Sequence, residues 1–302
     1  MKKILFYLKE YLTGLDKRML IFCSLLAAAG IYVNYHFELY RKIHGSPVQI
    51  QYACWLLVFL IAFALPYIIY SLATGKPLFS NTSFIALVIL APALFAWKMV
   101  YNINVHFTNS FRWNEYINHV IYWPLLLFVI SLVLFITWKI YAPEQPFYGT
   151  DAPGFKVAPY IGILFIMVPL IAAASTQPDF LDVYPKLKNL HTWPSEQGKW
   201  LYQLVYELSY GSDFITIELF FRGFLILGFI KYAGKDSILP MAVFYCAIHF
   251  GKPMAECISS FFGGIILGVI TYNTRTIWGG VIVHLGIAWL MEIGGWLGNI
   301  YY

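Results

Sequence analysis

The stretch Gln51–Thr74, QYACWLLVFLIAFALPYIIYSLAT, runs for 24 residues without one charged side chain. About 20 apolar residues of α-helix cross a hydrocarbon core of about 30 Å, so this segment reads as a membrane span. Comparable runs fall at 19–37, 82–100, 117–141, 157–175, 213–232, 254–272 and 276–296, with a shorter one at 237–250. The pattern predicts an all-α, polytopic transmembrane helical bundle of about 8–9 spans. The count is eight if the stretch at 200–210 is an interfacial helix and the short run does not cross. Composition agrees: 60% of the 302 residues are hydrophobic and 12% charged, against roughly 25% charged in a soluble domain.

The formal net charge of +5 is spread over many loops, with no dense basic run interleaved with aromatics, so no nucleic-acid partner is expected. The basic residues serve better as topology markers. Lys2, Lys3, Lys9, Lys17 and Arg18 precede the first span, and Lys76, Lys139, Lys156, Lys231, Lys235 and Arg275 recur in alternate loops. By the positive-inside rule the N-terminus is expected to be cytoplasmic; the membrane itself is expected to be a bacterial inner (plasma) membrane, which the charge pattern does not decide. The first span lacks a small-residue cleavage site and is expected to be a retained helix. The four cysteines, Cys23, Cys54, Cys246 and Cys257, lie in or beside spans without CxxC spacing, and are expected to be free thiols.

The longest polar connection, Thr176 to Lys199, divides the sequence into membrane-embedded helices with a periplasmic-side loop at 1–199 and a functional core at 200–302. The first part carries aromatic residues at span ends (Tyr67, Tyr70, Trp97, Tyr101, Trp123, Trp138, Tyr141), as an interfacial belt requires. The second concentrates small and ionisable residues within its spans. Ser260, Gly264 and Gly268 form one row of small residues and Ser259 with Gly263 a neighbouring row, a pattern that lets helix backbones approach closely in lipid.

Ionisable side chains at membrane depth cost about 2.5–3.5 kcal/mol on insertion scales and face the protein interior or a wet cavity. Four stand out: Glu218 and Arg222 in TIELFFRGFLILGF, His249 in FYCAIHFGKP and His284 in GGVIVHLGIAWLME. Glu218 and Arg222 are four apart and can form a self-neutralising ion pair on one helix face. His249 ends its span, as a structural histidine also would, whereas His284 sits mid-span, where an imidazole needs a partner. Together the four supply a carboxylate to take a proton from water, an imidazole to share it and a second imidazole for an oxyanion. Alternatively Glu218, His249 and His284 could hold a divalent metal such as zinc with a position open for water. The sequence leaves a metal, or no cofactor at all, undecided. No HExxH occurs, no aspartyl dyad is present and no serine motif lies at membrane depth.

The order of these motifs resembles the CAAX protease and bacteriocin-processing (CPBP) family of intramembrane peptidases, which includes type II CAAX prenyl endopeptidases. The matching stretches are Glu218–Gly223, Tyr245–His249, Ser259–Gly268, Thr274–Trp278 and His284, within residues 200–296. The resemblance implies a helical membrane peptidase in which a glutamate and a histidine activate water and a later histidine stabilises the oxyanion. It also implies membrane-associated peptide or protein substrates. Two positions depart from the family pattern: Ile217 stands where the first of two adjacent glutamates is usual, and Ala288 where asparagine often follows the last histidine. Glu218 is the expected stand-in for the missing glutamate, with Glu256 and Glu292 as weaker candidates. An inactive relative that binds peptides or partner helices is the alternative. A proton-coupled transporter with a relay of Asp213, Glu218, Arg222, His249 and His284 is a third reading.

Overall fold

The computed structural model describes residues 2–301, and no strand occurs among them. In chain order the helices are α1 (Lys2–Thr13), α2 (Lys17–Phe37), α3 (Leu39–His44), α4 (Val48–Thr74), α5 (Thr82–Val100), α6 (Phe111–Tyr141), α7 (Ala158–Ala174), α8 (Pro178–Val183), α9 (Lys199–Glu218), α10 (Ile230–Ala233), α11 (Ile238–Ala247), α12 (Met254–Thr274) and α13 (Trp278–Tyr301). A π-helical stretch, Leu219–Gly228, follows α9 directly. Six helices (α2, α4, α5, α6, α12 and α13) are long and apolar enough to cross a membrane, and α7 is a shorter apolar helix. The chain is an integral membrane protein.

Local chemistry sets the helix ends. The Asp16 side chain caps α2 by accepting the Arg18 amide, and Asn81 caps α5 through the Phe84 amide. Gly75 closes α4 at φ +69°, the left-handed backbone that glycine adopts without strain. Pro66, Pro92, Pro124 and Pro169 lie inside apolar helices, where neighbouring helices stabilise the backbone around them.

The helices group into two units built from interleaved stretches. One comprises residues 1–101, 137–151 and 221–277, the other 102–136, 152–220 and 278–302. In the first, α11 is packed by α2, α4 and α12 and every one of its residues is buried. This corrects the run at 237–250 as a span: ten residues rise only about 15 Å, half of a bilayer core. Aromatic rings fill this unit, with Phe59 4.9 Å and Phe221 5.4 Å from Phe244, and Phe63 5.3 Å from Phe229. Tyr67 and Tyr70, expected in an interfacial belt, are 0% and 4% exposed and belong to this core. The Ser260–Gly264–Gly268 row faces α11, where a methyl group on Gly268 would lie 3.0 Å from Ile238 and Met241. The neighbouring row does not: Ser259 is exposed and Gly263 has no neighbour within 4 Å.

In the second unit α13 packs against α7, α8 and α9. The polar connection 176–199 is fastened onto α13 and α9. Asn299 donates to the Tyr184 carbonyl at 3.0 Å, and Tyr206 donates to the Lys186 carbonyl at 3.0 Å.

Candidate active site

Thr216, Ile217 and Glu218 close α9, and every residue from Thr216 to Phe229 is buried. The switch to π-helix at Leu219 is rare, and π-helical turns recur at functional sites. Glu218 is 0% exposed. A carboxylate removed from water needs a hydrogen-bonding partner, and Glu218 has one on α13: His284 Nδ1 donates to its Oε1 at 3.1 Å. His284 keeps 16% of its side-chain surface exposed, and the Phe214 ring lies edge-on at 4.7 Å. Two of the four sequence candidates therefore meet within the second unit. The carboxylate fixes the tautomer, with the hydrogen on Nδ1 and the lone pair on Nε2.

The other two candidates meet within the first unit, on Tyr245, the aromatic residue that opens the Tyr245–His249 motif. Arg222 is wholly buried and its guanidinium lies 4.2 Å from the centre of the Tyr245 ring. A desolvated cation–π contact of this kind contributes about 2 kcal/mol. His249 follows α11 in a turn, where its amide donates to the Cys246 carbonyl at 3.0 Å. Its Nδ1 donates to the Tyr245 carbonyl at 2.7 Å, and the two rings are 4.7 Å apart. Here too the Nδ1–H tautomer is fixed, by a neutral carbonyl instead of a carboxylate.

The weaker candidates have other tasks. Glu292 Oε1 accepts the Lys186 amide at 2.8 Å, fastening the 176–199 connection, and Glu256 pairs with Lys252 at 3.5 Å. Ile217 and Ala288 are buried at 7% and 4% exposure, and Ala288 belongs to an apolar cluster with Tyr206 and Tyr210. Asp213 is half-buried on α9. Sequence reasoning passed over Glu207, which lies beside Glu292; burial, and then the Glu292 carboxylate, push its carboxyl up to about 8. Its signal was an acidic residue three helical turns before Glu218, on the same face.

Among the described residues no three His, Cys, Asp or Glu side chains are grouped as metal ligands. Of the conditional metal set, Glu218 and His284 are in contact in the second unit and His249 lies in the first.

The second unit thus places a wholly buried carboxylate in hydrogen-bond contact with a partly exposed imidazole in an all-helical membrane protein. Residues 208–290 match the family model described as type II CAAX prenyl endopeptidase Rce1-like. The match spans Glu218, Arg222, His249 and His284, and it bears out the resemblance of this segment to the CAAX protease and bacteriocin-processing family. No curated protein and no solved structure matches the chain.

Proposed function

We propose that the protein is an intramembrane endopeptidase of the CAAX type that hydrolyses membrane-associated peptides with water activated by the Glu218–His284 pair. The 3.1 Å contact between a wholly buried carboxylate and a partly exposed imidazole carries this reading. Glu218 is sealed from solvent, so the group that meets water is His284. With its hydrogen on Nδ1, His284 takes the water proton at Nε2 while Glu218 balances the charge that forms on the ring. Nε2–H then donates to the oxyanion created by the attack and returns the proton to the leaving nitrogen. His249, held at Nδ1 by a carbonyl, offers Nε2 as a fixed hydrogen-bond acceptor for water or substrate. Arg222, stacked on Tyr245, holds the residue whose carbonyl orients His249.

We place the protein in a bacterial inner membrane with eight crossings and a cytoplasmic N-terminus, counting α7 and the run 213–232 as spans and the stretch 200–210 as interfacial. The substrate class is a prenylated CAAX-type peptide. Purified protein in proteoliposomes is expected to release the C-terminal fragment of a farnesylated CAAX peptide, detected by mass spectrometry, and His284→Ala is expected to stop it. Equal release by His284→Ala would end the proposal.

One observation favours a second reading. The position where the family usually carries its first glutamate is a buried isoleucine, Ile217, as an inactive relative that only binds peptides would show. Saturable peptide binding by the unaltered protein with no product after prolonged incubation would establish that reading instead.

A further inference from the structure

Two consecutive glycines, Gly279 and Gly280, open α13 ahead of His284. Glycine is a poor helix former, so a doublet in the first turn calls for a packing reason. Each has a different one. A Cβ on Gly279 would lie 2.2 Å from the Tyr160 ring, which fills that space from α7. A Cβ on Gly280 would lie 1.9 Å from Glu218 Oε2 and 2.8 Å from the carboxyl carbon. What occupies the gap at Gly280 is thus the carboxylate itself.

Gly280 and His284 are four residues apart, so they stack one above the other on one face of the helix. A single turn of α13 grips Glu218 at two points: the imidazole holds Oε1 at 3.1 Å, and bare backbone receives Oε2. The α-hydrogen of Gly280 that stands in the Cβ direction points at Oε2, a weak C–H···O contact that a side chain would replace with a collision. We infer that Gly280 is a positioning residue, whose missing side chain seats the Glu218 carboxylate against His284. Even alanine at this position would drive Oε2 back by about 1 Å to clear the 3.0 Å below which Cβ contacts do not occur. Glu218 is wholly buried, so that retreat means displacing packed neighbours or breaking the bond to His284.

The inference rests on the peptidase reading only for what the pair does, and the seating can be tested without turnover. Gly280→Ala is compared with Gly279→Ala and with Gly263→Ala, whose site has no neighbour within 4 Å. Each is made in the wild-type and Glu218→Ala backgrounds, and thermal midpoints and 15N spectra of histidine-labelled protein are recorded in detergent micelles. Gly280→Ala is expected to lower the midpoint by roughly 5 °C or more in the wild-type background and by less than about 1 °C once Glu218 is alanine. It is also expected to move the His284 ring-nitrogen signals. Gly279→Ala is expected to lower the midpoint equally in both backgrounds and leave those signals in place, and Gly263→Ala to change neither.

If Gly280→Ala alone does not fold but the double variant with Glu218→Ala does, the seating is supported. If neither folds, or if the midpoint loss is independent of Glu218, or if the His284 signals stay unmoved, the inference is overturned. A cycle that behaves as expected in a protein that cleaves nothing leaves the seating standing and the peptidase reading refuted. A failed cycle in an active enzyme does the reverse.

Discussion

His284 and His249 are tied down through the same ring nitrogen by partners of opposite kinds. His284 gives Nδ1–H to a buried carboxylate, whereas His249 gives it to a backbone carbonyl. A carbonyl orients an imidazole but offers no charge to balance a captured proton; a carboxylate does both. In the proposed reaction the difference separates a ring backed to hold a proton from one oriented as an acceptor.

The largest effect tests the carboxylate-backed side. His284→Ala is expected to lower kcat for peptide hydrolysis on the order of 10³-fold, the scale of a lost general base, with KM within about threefold. His249→Ala should cost less, about 10- to 100-fold, because an orienting acceptor contributes less than a base. Equal losses in the two variants would erase the distinction. Next comes the ring that ties the second region together. Tyr245→Leu removes the surface under Arg222 and is expected to lower the thermal midpoint by roughly 4 °C, whereas Tyr245→Phe keeps the ring and should stay within about 1 °C of wild type.

The smallest effect sharpens what a carboxylate does when it backs another carboxylate. Glu207 has a folded-state value of about 8, up from 4.5, through burial and the nearby Glu292. A raised acid binds its proton in the folded state where the unfolded chain has already released it. Its stabilisation is therefore complete below about 4.5 and is lost as pH rises through about 8. Thermal midpoints recorded across that window should decline with pH in the wild type, and Glu207→Gln should flatten the decline. An equal slope in both would assign it to other groups.

The spans were legible because bilayer thickness sets a length that apolar runs reveal directly. Those at 82–100 and 254–272 fall on α5 and α12 within two residues. The run at 237–250 misled because an apolar segment wrapped by other helices and one facing lipid have the same composition; only the ten-residue length of α11 separates them. Glu218 and His284 were legible as costly groups needing partners, but nothing in a 66-residue separation says that they touch. The roles of Tyr245 and Gly280 escaped notice because a backbone carbonyl and a missing side chain leave no chemical signature in sequence.

The most direct measurement is the single-turnover hydrolysis rate of a farnesylated CAAX peptide by Glu218→Gln protein in proteoliposomes, set against wild type. The substitution keeps the size of the side chain and removes its charge. The account predicts a rate lower by on the order of 10³-fold, with peptide affinity unchanged. A rate equal to that of wild type would show that the buried carboxylate behind His284 has no part in catalysis.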